Sequence, residues 1–421
     1  MISKKMLKSY FISIFMVLLI CFIYQYYISP IFDGHINSFG EYGYRIGIFN
    51  IDNFIISMFF LLIINFLLPT KIINPSDFIM ILYYYVVMIP YLSLYSLDLF
   101  SGLSLFISLL AFFILYTLYA IFFQNNTMYY NIESCYNMKA LYIIVGSAVF
   151  LILILILKFG ISSSIDSILN VYSQRMLFNN SGILYQLIFY LLAFGFIPYL
   201  IYEYAKRNSL NILFIIIFFT IILFLYTGSK MVFMGTLISI ILIKIMKNNQ
   251  INSYTIGILI NIIFIFSILL ANIFNSYLVL SLFIRRTFIL VAQIYGLYFE
   301  YFTVKPYNYM AKYLSFLFGW QNTKSASHVI GSTYFLDNTH ANSGIISDAY
   351  ANFGILGIIV YIVILFVIFK IINKLNIMYN YYLTPLIFLI AISLTNSGVI
   401  AVFIYQLLPF MIVFYLMRGK E

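Results

Sequence analysis

The sequence predicts an all-α, polytopic integral membrane protein with about 12 transmembrane helices and one large structured loop on the outer side. Three observations carry this. Only 8% of the 421 residues are charged, against 64% hydrophobic, whereas soluble domains hold about a quarter charged residues. So little charge cannot cover a water-facing surface. The apolar residues gather in runs close to the roughly 20 residues a helix needs to cross a bilayer. Lysine and arginine sit at the ends of those runs, where they set orientation. Each run is read as a helix, because lipid offers the backbone no hydrogen-bond partner.

The first run, 7–28, overlaps Lys8 and follows Lys4 and Lys5. It is too long for the apolar core of a signal peptide, and no small-x-small cleavage site follows, so it reads as an uncleaved first span. The remaining runs are 51–68, 77–97, 102–124, 140–158, 183–203, 210–227, 231–246, 253–273, 344–370, 380–397 and 399–417. Alternating their sides puts Lys4, Lys5, Lys8, Lys71, Lys139, Lys206, Arg207, Lys244, Lys247, Lys370, Lys374, Arg418 and Lys420 with the termini. The opposite side, with longer connections, holds fewer cations and most of the acids, including Asp33, Asp98, Asp166, Glu300 and Asp348. This bias predicts both termini in the cytoplasm. The net charge of +10 therefore reflects topology. No basic run or nucleic-acid motif accompanies it, and no nucleic-acid partner is expected. Cys21 lies in an apolar run and Cys135 in a polar connection, which makes a disulfide between them implausible.

Connections 29–50, 159–182 and 274–343 are long. The last divides the chain into membrane helices over 1–273, a large loop over 274–343, and further membrane helices over 344–421. That loop carries Pro306, Gly319, Trp320, His328 and His340. Its aromatic, half-apolar stretches Phe288–Phe302 and Tyr307–Trp320 predict helices lying at the membrane surface as a cap over the bundle. No internal repeat or pair of broken helices is visible, which argues against an inverted-repeat transporter.

Three clusters on the outer side are candidates for chemistry. Thr227-Gly228-Ser229-Lys230 forms a tight turn whose lysine opens a helix, a position that favours an anion. The alternative is a lysine that snorkels to anchor a helix end. Arg285-Arg286 stand near the start of the large loop. Guanidinium groups bind phosphate oxygens bidentately, although a solvated pair that merely ends a span accounts for them too. The segment Asn338-Thr339-His340-Ala341-Asn342-Ser343-Gly344 leads to Asp348, Asn352 and Gly354. Asp348 and Asn352, four apart, share a helix face. His340 suits a general base or a phosphate or sugar ligand, with simple solvation as the alternative. The sequence has no Walker loop, Asp-x-Asp pair, His-Glu-x-x-His or Cys/His metal spacing, so no metal or cofactor is expected. Cations, a base and a lipid setting suit a lipid-linked diphosphate as substrate.

These residues resemble the Wzy-type O-antigen polymerases and, more distantly, the O-antigen ligases. Thr-Gly-Ser-Lys at 227–230 is similar to that family's Gly-Ser-Arg/Lys turn. Arg285 and Gly296, with ten residues between them, match an R-x10-G pattern. The run from Thr339 to Gly357 looks like the family's segment entering the span after the large loop. Two features depart from the pattern: Arg175 lacks a glycine at the same spacing, and Ala341 separates His340 from Asn342.

The resemblance implies a metal-independent glycosyltransferase of lipopolysaccharide biosynthesis in the bacterial inner membrane, with its active face periplasmic. Donor and acceptor would be oligosaccharide repeat units on undecaprenyl diphosphate. A chain-length regulator and the flippase of the same pathway would be partners. Arg285, Arg286 and Lys230 would stabilise the leaving diphosphate. His340 is the first choice for the base and Asp348 the second. Arg175, Gly296, Asn342 and Asn352 would contact diphosphate or glycan. The rival readings are a flippase for the same unit and an O-antigen ligase.

Overall fold

The computed structural model describes residues 4–32, 46–123, 138–160, 177–178, 180–248, 251–274, 277–305, 307–310, 324–335, 340–379 and 382–417. Every regular element among them is a helix. Among the described residues ten helices are long and apolar enough to cross a membrane, so the chain is a multi-pass membrane protein.

Each apolar run of the sequence falls on a helix. These are α1 (Lys4–Ile28), α2 (Ile51–Leu67), α3 (Pro75–Ser96), α4 (Gly102–Phe123), α5 (Met138–Phe159), α6 (Ile183–Arg207), α7 (Leu210–Thr227), α8 (Lys230–Asn248) and α9 (Ser253–Phe274). A helix over 278–304, α10, and the short α11 (Ala326–Tyr334) follow. The chain closes with α12 (Ile345–Met378), a broken α13 over 383–396, and α14 (Val399–Leu416).

Polar contacts sort the helix ends into two sets. At one end Lys5 Nζ donates to Asn252 Oδ1 (3.3 Å), Ile72 N to the Ile251 carbonyl (2.9 Å) and Thr384 Oγ1 to the Ile73 carbonyl (3.0 Å). Tyr379 donates to the carbonyl of Phe414 there. Both ends of the described chain therefore lie together. At the other end Gln25 Nε2 donates to the Gly47 carbonyl (3.0 Å), Ile48 N to the Leu97 carbonyl (3.1 Å) and Asn53 Nδ2 to Asp98 Oδ1 (3.2 Å).

Helix α3 is the axis of the bundle and is wholly enclosed by the others. Several of its polar groups bond within the bundle, as a lipid setting favours: Tyr84 Oη donates to Ser13 Oγ (2.9 Å) and Ser93 Oγ to the Ile89 carbonyl (2.8 Å). Asp77 begins it as a capping group. Its Oδ2 accepts from Ile73 N (3.0 Å) and Asn74 N (2.8 Å), and its Oδ1 accepts from Tyr119 Oη (2.5 Å). Asp77→Ala leaves those donors buried and unsatisfied, a cost of about 1–3 kcal/mol. Thermal melting of the detergent-solubilised protein should show a lowered midpoint, with a smaller decrease in Tyr119→Phe.

Two sequence expectations are corrected. Phe288–Phe302 is not an exposed cap but belongs to α10, and its residues Val291, Tyr295, Gly296 and Tyr298 are buried. The segment Phe283–Val304 is long and apolar enough to cross a membrane, yet both ends of α10 stand at the same end of the bundle. Tyr277, just before it, meets Tyr27, and Tyr27 Oη bonds Asn272 (3.2 Å). Near the other end Glu300 Oε1 accepts from Ser101 N (3.1 Å). Its middle dips to Phe264 and Tyr91, through Phe288 and Tyr295. The helix therefore runs across α3, because its aromatic faces find more surface to bury there than at the lipid boundary.

The run 344–370 is not one straight span. Ile345 and Ile346 share a small apolar pocket with Ile362 and Leu365. On an unbroken helix Ile345 and Ile362 would stand about 25 Å apart. The chain instead folds back at Phe353 (φ −143°, ψ 17°) and Gly354 (φ 61°, ψ −145°). Gly354 holds a left-handed conformation that other L-residues resist. A Cβ there would also stand 2.7 Å from the Tyr307 ring. Gly357 lets the two arms touch, because a Cβ at that position would collide with the Ala349 carbonyl. Within a membrane such a break is tolerated where it is enclosed by protein or lines a cavity.

Candidate functional site

The fold-back opens a cavity of about 170 Å³ at the end of the bundle away from the termini. The rising arm of α12 contributes Asp348 and Asn352, and the descending arm contributes Tyr361. The approach strand gives Asn342 and Ser343, and the start of α11 gives Ser325 and Ser327. The turn between α13 and α14 supplies Ser397 and Gly398, and α10 supplies Tyr298. Met310, Ala326, Ile400 and Ala401 add to a lining whose polar groups, among the described residues, are hydroxyls and amides around a single carboxylate.

That carboxylate is held on three sides. Asp348 is half-buried and lies within hydrogen-bonding reach of Tyr361. Asn352, 5% exposed, donates from Nδ2 to the Asp348 carbonyl (2.8 Å) and toward Asp348 Oδ1 (3.4 Å). Gly398 has no side chain for a direct reason: a Cβ there would overlap the Asp348 carboxylate. Asn352 also fixes the loop above. Its Oδ1 accepts from Met310 N (2.9 Å) and its carbonyl from Tyr309 N (3.1 Å). These bonds hold Tyr309 and Met310 at φ 50° and 55°, left-handed values that cost roughly 1–2 kcal/mol per residue.

His340 stands at the rim. It is exposed, with its Nδ1 3.5 Å from Ser327 Oγ. The strand carrying it is pinned by Ala341 N to the Ser327 carbonyl (3.0 Å) and by Tyr298 Oη to the Ala341 carbonyl (2.9 Å). His328 of α11 faces it, ring centroids 5.2 Å apart and edge-on.

Of the residues singled out in sequence, Asp348, Asn342 and Asn352 line the cavity, and His340 borders it. The two arginines separate. Arg285 is 4% exposed and donates from Nε to Ser281 Oγ (2.9 Å), whereas Arg286 is exposed. Neighbours on a helix point in different directions, and neither arginine lines the cavity. About 20 Å of helix separates Arg285 from Tyr298. Gly296 is a packing position: a Cβ on it would strike the Phe100 ring. Lys230 is exposed at the start of α8, away from the lining. Arg175 lies outside the described residues, as do 311–320 of the stretch Tyr307–Trp320.

Sequence reasoning missed Ser325, Ser327, His328, Tyr298, Tyr361 and the Ser397-Gly398 turn as site residues. The turn had one signal, a small polar pair interrupting an apolar stretch. Among the described residues, no three of His, Cys, Asp or Glu converge as metal ligands. No family model, curated protein or solved structure matches the chain.

Proposed function

We propose that the chain is a membrane glycosyltransferase that joins oligosaccharide repeat units carried on undecaprenyl diphosphate, an O-antigen polymerase acting at the periplasmic face of the inner membrane. The observation that supports this reading best is the cavity. Its hydroxyls and amides, with one carboxylate among them, match the many neutral donors and acceptors of a sugar. Its place among membrane helices suits a substrate whose tail stays in lipid. In this reading α10 and α11 lie in the outer half, the other helices cross, and both termini face the cytoplasm, in accord with the lysine and arginine distribution.

The reaction makes one bond and breaks one. An acceptor sugar hydroxyl attacks the anomeric carbon of the donor glycan. The bond from that carbon to the diphosphate oxygen breaks, and undecaprenyl diphosphate leaves with the electron pair. The hydroxyl proton passes to Asp348, the one carboxylate of the lining. Asn352 and Tyr361 orient that carboxylate. Asn342 and Ser343 meet sugar hydroxyls. Lys230, exposed on the same side, steers the anionic substrate rather than contacting the reacting atoms.

The broken α12 also favours a transporter, since discontinuous helices form many substrate sites in that class. Deletion of the gene separates the readings. A lost polymerase leaves the lipopolysaccharide core capped by one repeat unit, a lost flippase leaves no unit outside, and a lost ligase strips every side chain. Orientation has its own test. A Ser327→Cys variant should react with a membrane-impermeant maleimide added to intact spheroplasts, and Lys5→Cys only after permeabilisation. The reverse pattern contradicts the topology.

A further inference from the structure

From the grouping of His328, His340, Ser325 and Ser327 at the cavity mouth, we infer a diphosphate-binding clasp, a role for His328 that rests on the glycosyl-transfer reading above. The two imidazoles meet at 5.2 Å between centroids. Ser327 Oγ lies 3.5 Å from His340 Nδ1 and 3.0 Å from Ser325 Oγ. Both serines also line the sugar cavity, so the cluster and the cavity share a wall. Such adjacency is what a glycosyl diphosphate requires, because its first phosphate is bonded directly to the anomeric carbon.

The donors are suited to phosphate oxygens. His328 Nδ1 is enclosed and meets no hydrogen-bond partner among the described residues. A buried nitrogen in that condition is costly unless a ligand satisfies it. Each imidazole carries a ring N–H that can donate to a phosphate oxygen. Lys324, exposed and adjacent to Ser325, adds charge at the rim. Among the described residues of the cavity the one carboxylate is Asp348, which belongs to the lining on α12. Among the described residues the mouth therefore holds the imidazoles and a lysine, and the interior holds the carboxylate. That division orients the donor with diphosphate outward and sugar inward.

The position of His340 is fixed by the two hydrogen bonds made to the Ala341 backbone, from Tyr298 Oη and to the Ser327 carbonyl, and that of His328 by α11, whose N-cap Ser325 accepts from His328 N (3.3 Å). The clasp is thus set before substrate arrives, which lowers the ordering cost of binding.

Binding of farnesyl diphosphate, farnesyl monophosphate, farnesol and inorganic diphosphate to the full-length protein in nanodiscs tests this without requiring turnover. Farnesyl diphosphate should bind, farnesol should not, and His328→Ala or His340→Ala should each weaken diphosphate binding about tenfold or more, as expected for a lost bond to a charged group. His328→Gln, which keeps a donor, should lose less. Inorganic diphosphate competing with the same histidine dependence would mark the head group itself as the ligand. Competition by farnesol would instead mark a lipid-tail site and overturn the inference. Binding unchanged in both alanine variants would overturn the clasp while leaving the polymerase reading intact. A polymerase-negative deletion phenotype combined with histidine-independent binding separates the two failures.

Discussion

Asp348→Asn is expected to abolish extension of the glycan at normal protein level, with single-unit products remaining. The side chain keeps its shape, so Asn352, Tyr361 and the adjacent turn retain their packing, but the group can no longer take a proton. General base catalysis is worth about 10²–10⁴-fold, and the side-chain ladder should collapse to its lowest rung. Asp348→Glu should rescue poorly. The longer side chain must enter space already closed by Gly398, where the shorter carboxylate sits without room for even a methyl group. Quantitative silver-stained ladders, alongside immunoblots for protein level, check both variants. A full ladder from Asp348→Asn would exclude this carboxylate as the base.

The second large effect belongs to a residue with no functional group. Gly398→Ala places a methyl group where the Asp348 carboxylate lies. Gly398 has extended backbone (φ −62°, ψ 149°) that alanine adopts freely, so the change strains contact rather than conformation. A Cβ at Gly398 would stand 2.3 Å from Asp348 Oδ2, so the carboxylate must move by about 1 Å, and a misplacement of that size costs on the order of 10²-fold. Activity should therefore fall sharply while the melting midpoint changes little. Repeating the measurement in an Asp348→Asn background should show almost no further loss, since the two residues act through one group. Independent, additive losses would contradict that coupling.

The helices were legible in the sequence because their signal is cumulative, and a run of apolar residues long enough to cross a bilayer admits few other readings. Alternating the apolar runs grouped described helix ends that meet in space. What the hydropathy concealed was direction. Ile345 to Met378 reads as one apolar run with or without a fold-back. The break depends on Gly354 at positive φ and on the close approach at Gly357, and neither alters hydropathy. For α10 a helix with both ends on one side was expected, and its burial was not, because an aromatic, half-apolar stretch reads alike at an interface and in a core.

The site was partly legible. Asp348, Asn342 and Asn352 stood out because polar residues are scarce in this chain. Their serine neighbours on α11 did not, since serine is common in loops and its role arises only when α11 is brought beside the approach strand. Arg285 and Arg286 drew notice as a pair, but the helix divides them, one enclosed and one exposed. Adjacency in sequence was taken for adjacency in space, and on a helix the two differ.

The most direct measurement is reconstitution of the purified protein in proteoliposomes with a prenyl-diphosphate-linked repeat unit and no other enzyme. The account predicts polymers of two or more units with stoichiometric release of prenyl diphosphate, and neither product with Asp348→Asn. Movement of the intact unit across the bilayer without bond formation, unaffected by Asp348→Asn, would contradict it.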